Sequence, residues 1–227
     1  MSGNGLPPGY AIGARGPRTD PALVAALRAV PVPVIGDCMG RIVGTSRLRP
    51  YHPVTEPAMA GPALTVRVRP GDNLMLHKAI LMAEPGDVIV VDGAGDTTQA
   101  LIGGLMRTTA LHRRIAGFVI DGALRDVAEW AEGGMPAFAA GNSLRGPGKD
   151  GPGEINVPIT CAGLVVAPGD VVVADGVIAV APSEIGPLLE RCRAKLADEE
   201  RVRQQNASGA TDEERIDAYL RSRGVEL

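Results

Sequence analysis

Apolar residues recur along this chain in two rhythms. Ala63-Leu64-Thr65-Val66-Arg67-Val68 alternates with the period of a strand, whereas Val88-Ile89-Val90-Val91, Phe118-Val119-Ile120 and Val171-Val172-Val173-Ala174 are unbroken apolar runs that read as buried strands. Each unbroken run is closed by Asp-Gly, at 92–93, 121–122 and 175–176. Pro-Gly-Asp stands before two of them, at 85–87 and 168–170, where Pro presets φ and Gly takes the positive φ that follows. The same turn into the same kind of strand is thus used twice. Helical spacing appears after Asp20-Pro21, a cap residue followed by a first-turn Pro, in Leu23, Val24, Leu27 and Val30. The region of Pro31 and Pro33 ends that helix, and residues 34–40 read as a short link into another helix start. Asp72-Asn73 caps a helix from Leu74 to Ala83, and further helices are predicted over Thr97–Arg114, Glu184–Arg203 and Asp212–Arg223. Strands alternating with helices predict an α/β architecture with a layered core, and the strand-rich later half leaves room for a mixed sheet. Residues 1–19 are too rich in Gly and Pro to predict a regular element, and no linker divides the rest.

Composition narrows the function classes. A chain of 227 residues can bury a real core. The net charge is −3 and aromatic residues are 3%, so neither a basic face nor stacking platforms for nucleic acid are in view. Cys38, Cys161 and Cys192 are scattered and odd in number, the usage of reduced thiols in a cytoplasm. No apolar run approaches ~18 residues and the N-terminal stretch has no signal-like apolar segment. The expectation is a soluble cytoplasmic protein without membrane or nucleic-acid partners.

Several chemistries lose support. Lysines occur only at 78, 149 and 195, with Lys149 in a Gly/Pro loop and Lys195 in a charged helix, which leaves Lys78 as the one candidate for a Schiff base. The loop Gly141–Asp150 lacks the Gly-Lys-Ser/Thr ending of a phosphate cradle. His52, His77 and His112 have no partner at zinc-ligand spacing, although His77, just after Asp72-Asn73, is placed to reach a pocket. What remains is Arg125-Asp126, directly after a buried strand, with Glu129 one turn on. In open α/β sheets ligands bind at the carboxyl ends of strands. Arg grips carboxylates in two-point fashion and Asp is a hard-oxygen ligand for Mg²⁺. The alternative is a helix start capped by Asp126, with Arg125 paired to Glu129.

A set of phrases then carries a resemblance. Gly61-Pro62-Ala63-Leu64-Thr65-Val66, Pro70-Gly71-Asp72-Asn73, Pro85-Gly86-Asp87-Val88, Asp121-Gly122 through Arg125-Asp126, Asn156-Val157-Pro158-Ile159 and Pro168-Gly169-Asp170 through Val177 together resemble the class II pyruvate aldolases that cleave 4-hydroxy-4-methyl-2-oxoglutarate and 4-carboxy-4-hydroxy-2-oxoadipate, and their relatives, the RraA-like regulators of ribonuclease E. The resemblance implies a layered α/β/β/α, swivelling-domain-like fold over residues 20–182, preceded by an arm (1–19) and followed by a helical extension (183–227). It implies Arg125 on the oxo-acid and its enolate, Asp126 on Mg²⁺ or Mn²⁺, and backbone amides of Gly103, Gly104, Leu105 and Met106 on the carboxylate. Asn73 and His77 would lie near the site. A neighbouring subunit of a trimer or hexamer would add a carboxylate, for which Glu199 or Glu200 is the counterpart. The implied reaction is retro-aldol cleavage or oxaloacetate decarboxylation. The alternatives are a non-catalytic regulator docking on an RNA-processing partner, or metal-dependent chemistry on another hydroxy or sugar acid. One position departs from the aldolases: Gly104 stands where they usually carry an Asp that orients a metal-bound water.

Overall fold

The computed structural model describes residues 7–45, 47–53, 55, 58–209 and 212–227. Strand β1 (Tyr10–Ile12) leads to helices α1 (Pro21–Arg28) and α2 (Val32–Cys38). Asp20 caps α1 by accepting the Ala22 amide at 2.8 Å. The second helix starts at Val32, earlier than the expected link, because Pro33 falls in its first turn, where a missing N–H costs nothing. Next come β2 (Arg49–Pro50), β3 (Met59–Val68), α3 (Leu74–Met82), β4 (Val88–Ile102), α4 (Gly104–His112), β5 (Gly117–Leu124), α5 (Val127–Ala131) and β6 (Ala137–Asn142). Short strands β7 (Gly153–Ile155), β8 (Ile159–Cys161), β9 (Leu164–Val166), β10 (Val171–Ala174) and β11 (Val177–Val180) precede the long α6 (Ile185–Ala207) and α7 (Glu213–Ser222).

Strands β3, β4, β5 and β6 run parallel at the centre of a mixed sheet. On one side β7 adds antiparallel to β3, with β1 beside it. Strand β10 pairs antiparallel with the first half of β3 and with β11, and β8 and β9 form a separate hairpin. The unbroken apolar runs now have their reason. Ile89 and Val91 face a core with Leu76, Ile80 and Met106 of α3 and α4, whereas Val88 and Val90 face Ile159, Val166 and Val172 between the sheets. Val171 and Val173 in turn meet Leu27, Ile35, Leu188 and Cys192 of α1, α2 and α6. The layers are therefore helix, sheet, sheet, helix, with each fully buried aliphatic side chain contributing roughly 1.5–3 kcal/mol. Among the described residues no single helix is long and apolar enough to cross a membrane.

Both Pro-Gly-Asp turns close in the same way. Asp87 accepts the Glu84 amide and Asp170 the Ala167 amide, each at 2.8 Å, with Gly86 and Gly169 at φ of 87° and 88°. The N-terminal arm is more ordered than its composition predicts. Its β1 joins the sheet beside β7, and Arg15 and Arg18 pair with Asp87 and Glu84.

The larger correction concerns the helix expected from Thr97. That segment is strand: β4 leaves its ladder after Asp92, turns through Ala94 and Gly95 at positive φ, and returns so that Ala100 and Ile102 pair with Ala123 and Leu124. The helix starts only at Gly104. Strand β5 accordingly continues past Asp121-Gly122 to Leu124, with all its residues buried. Asp121 does not end the strand. Its carboxylate accepts the Ala162 amide at 2.8 Å and faces Arg47 at 3.3 Å.

Candidate functional site

The returning end of β4 and the end of β5 build the site together. Arg125 donates its amide to Ile102 O at 2.9 Å, which places Gly103 and Gly104 opposite Arg125 and Asp126. Asp126 holds left-handed backbone at φ 59°, a conformation that Asp and Asn adopt more readily than most residues. It precedes α5 at the capping position but does not cap that helix with its side chain. Instead Oδ2 reaches across and accepts the Gly104 amide at 2.8 Å, while Arg125 Nε lies 3.7 Å from the same oxygen. The capped-helix alternative, with Arg125 paired to Glu129, is not what forms. Trp130, fully buried, donates its indole N–H to Arg125 O at 2.9 Å and stacks edge-on against Phe118. Glycine at 103 is a steric requirement: a Cβ there would lie 2.5 Å from Asp126 Oδ2 and 2.9 Å from Arg125 Nε.

Beside this junction is a pocket of about 100 Å³ lined by Asn73, His77, Gly103, Leu105, Met106, Arg125 and Lys149. Asn73 donates Nδ2–H to Leu101 O at 2.9 Å, which leaves its buried Oδ1 without a hydrogen-bond partner. Burial, and then the positive charge of Lys149, hold the His77 pKa below its ordinary value. The first amides of α4 have no partners inside the helix. The Gly104 amide is taken by Asp126, and among the described residues none accepts from that of Leu105.

The structure thus gathers Asn73, His77, Gly103, Leu105, Met106 and Arg125 around one pocket, with Gly104 and Asp126 bonded at its edge. Glu199 is elsewhere in the chain. It lies on α6, which packs on α1 and α2, and faces Lys195 at 3.4 Å. Two further residues are present, and of these spacing singled out Glu129 but not Lys149. Lys149 lines the pocket because Asp72, 1% exposed, accepts the amides of Asp150 and Gly151 at 2.7 and 3.0 Å and that of Leu74 at 2.9 Å. Its loop is thereby tied to the start of α3. The other is Glu129, whose carboxylate lies against Gly104.

Among the described residues no three His, Cys, Asp or Glu side chains converge as a closed metal cage. The donor set still fits one kind of ion. Mg²⁺ keeps most of its waters and needs only one or two protein carboxylates. Asp126, with Oδ2 committed to Gly104, offers Oδ1.

Comparison with known proteins supplies the lineage. The RraA-like family (Aldolase/RraA) matches residues 32–179. A Halalkalibacterium halodurans protein named "Putative 4-hydroxy-4-methyl-2-oxoglutarate aldolase" is 38% identical over 180 residues, 78% of this chain and 85% of the relative. A Thermus thermophilus protein named 4-hydroxy-4-methyl-2-oxoglutarate aldolase is 35% identical over 116 residues, 51% of this chain and 70% of its own. Among solved structures, a Streptomyces coelicolor protein described as an unusual member of the RNase ES inhibitor RraA protein family superposes with a TM-score of 0.74 at 25% identity, covering 83% of this chain and 98% of its own. With that fold, that span and those relatives, the chain belongs to the RraA-like family.

Proposed function

We propose that this protein is a divalent-metal-dependent lyase that releases pyruvate from an oxo-acid. The reaction is retro-aldol cleavage of a 4-hydroxy-4-methyl-2-oxoglutarate-type substrate, decarboxylation of oxaloacetate, or both. The observation that carries the reading is the placement of Arg125 and Asp126 against the first turn of α4, at a pocket that also holds Lys149 and His77. In the retro-aldol reaction the C3–C4 bond breaks, its electron pair stays on the pyruvate portion as an enolate, the C4 hydroxyl gives its proton to solvent as it becomes a carbonyl, and the enolate takes a proton at C3 from solvent to leave as pyruvate. Decarboxylation breaks the C3–C4 bond of oxaloacetate instead and leaves the same enolate. In both, negative charge gathers on the C2 oxygen, where a fixed guanidinium is worth most.

Arg125 would hold that oxygen or the adjacent carboxylate, its backbone fixed by Ile102 and Trp130. The Leu105 amide, without an acceptor among the described residues, would donate to the carboxylate at the helix N-terminus. Lys149 and His77 would face the distal part of the substrate. Asp126 would hold Mg²⁺ or Mn²⁺, which when bound supplies Lewis-acid polarisation of the keto group. Exposed leucines 74, 81, 105 and 111 on α3 and α4, of which Leu105 lines the pocket, support assembly into a trimer or hexamer with sites between subunits. In that assembly Glu199 of a neighbour would reach the metal's waters.

The test is pyruvate release from 4-hydroxy-4-methyl-2-oxoglutarate and from oxaloacetate, with Mg²⁺ and with chelator. Metal-dependent release from either supports the reading. Release from neither overturns it and favours a binding protein of the RNase-inhibitor kind.

A further inference from the structure

Glycine at position 104 leaves a space, and one side chain fills it. A Cβ built on Gly104 would lie 2.2 and 2.4 Å from the two carboxylate oxygens of Glu129 and 2.5 Å from its Cδ. The backbone of Gly104 does not itself demand glycine, since its φ is not positive. What excludes a side chain is the carboxylate already there. Glu129 comes from α5, one turn beyond Asp126, and its amide bonds Asp126 O at 2.9 Å, which fixes the two residues relative to each other. Asp126 Oδ2 holds the amide of Gly104 while the Glu129 carboxylate lies over its α-carbon, so two carboxylates meet at one residue. Among the described residues the Glu129 carboxylate has no hydrogen bond or ion pair. A carboxylate in place, at the site and without a protein partner is free to accept from a water.

We infer that Glu129 is a positioning residue for the divalent ion. It supplies from α5 the water-orienting carboxylate that position 104 does not carry, and Gly104 is glycine because Glu129 needs the space. The inference rests on the metal-dependent reading above and identifies which residue of this chain completes that site. An outer carboxylate of this kind typically changes metal affinity by ~10–100-fold when removed. Chemically the exchange is balanced: a carboxylate is lost from one side of the cleft and gained from the other.

The experiment is Mn²⁺ binding to the full chain by calorimetry and electron paramagnetic resonance, with pyruvate added in a second series and the unfolding midpoint measured for every variant. Glu129→Gln is expected to weaken Mn²⁺ by ~10–100-fold with the midpoint little changed. Gly104→Ala should weaken it to a similar extent while holding or raising the midpoint, because Ala favours helix over Gly and the added methyl meets only the far end of the Glu129 side chain. The double variant should be no worse than either single one, since both remove the same carboxylate. Gly104→Asp combined with Glu129→Ala should recover most of the affinity by returning a carboxylate from the α4 side. Wild-type affinity in both Glu129→Gln and Gly104→Ala would overturn the inference and leave the metal-dependent reading standing. Absence of Mn²⁺ binding in the unmodified protein would overturn that reading and the inference with it. If Gly104→Ala lowers the midpoint sharply, the Glu129→Gln result alone decides, because that change leaves the backbone and volume intact.

Discussion

Asp126 Oδ2 and the amide of Gly104, 22 residues apart in sequence, meet at 2.8 Å across the gap between α5 and α4. This bond locks the carboxylate expected to hold the metal to the helix N-terminus expected to hold the substrate. It also orients Asp126 so that its other oxygen remains available.

Replacing Asp126 with Asn separates charge from geometry. Asn tolerates the left-handed backbone and keeps a carbonyl oxygen for the Gly104 amide. The unfolding midpoint should stay close to that of the unmodified protein, while metal-dependent pyruvate release falls below detection in a coupled dehydrogenase assay. Retained turnover would remove Asp126 from the metal site.

Gly103→Ala inserts a methyl 2.5 Å from Asp126 Oδ2 and 2.9 Å from Arg125 Nε. Both groups must move, and displacements near 1 Å at a reacting centre cost on the order of 10²-fold in rate. A fall of that size in kcat/KM, with circular dichroism unchanged, is the expected result.

Asp72→Ala should be costly for stability. Its buried carboxylate accepts three backbone amides that tie the Lys149 loop to α3. Leaving those donors without a partner is expected to lower stability by about 3 kcal/mol in urea unfolding, and to weaken pyruvate binding as Lys149 drifts from the pocket.

Trp130→Phe removes the donor to Arg125 O and leaves a gap against Phe118. About 1–3 kcal/mol of stability should be lost, with KM for the oxo-acid rising more than kcat falls. Steady-state kinetics and denaturant unfolding read the two effects separately.

His77 gives a pH signature with a definite sign. Its folded pKa lies below the ordinary value near 6.5, so the unfolded chain takes up the proton first as pH falls. Stability contributed by the neutral ring is full above about 6.5 and declines from there down to the lowered folded pKa. An anion bound beside the ring acts in the opposite direction and raises that pKa. In NMR titrations the His77 ring resonance should shift at lower pH in the free protein than in the pyruvate complex, and His77→Gln should flatten the stability change across this window.

Much of the fold could be read from the chain, and particular residues show why some could not. Val88 to Val91 announce a strand buried on both faces, and the paired Pro-Gly-Asp turns announce how two strands begin. Thr97 to Ile102 deceived because an apolar tail running into Gly103-Gly104 suits a helix as well as a strand. Only the return of Ala100 and Ile102 to pair with β5, after a long bulge, decides between them. The site was legible at Arg125-Asp126 because those residue types carry their chemistry openly. Lys149 was hidden, since its place depends on the buried carboxylate of Asp72, far from it in sequence. For Glu129, one turn after Asp126, spacing left a pairing with Arg125 open as the alternative. Helical spacing says which residues can meet, not which of two neighbours a carboxylate chooses.

The left-handed backbone at Asp126 has an evolutionary corollary. Few residue types sit there without strain, chiefly Gly, Asn and Asp, and of these Asp alone brings a negative charge. Single-nucleotide changes connect an Asp codon to codons for the other two. On the metal-dependent reading proposed above, a lineage built on this scaffold would shed that chemistry in one step while keeping its fold. Catalyst and binding protein are then immediate neighbours in sequence space, and one backbone torsion keeps the path between them short.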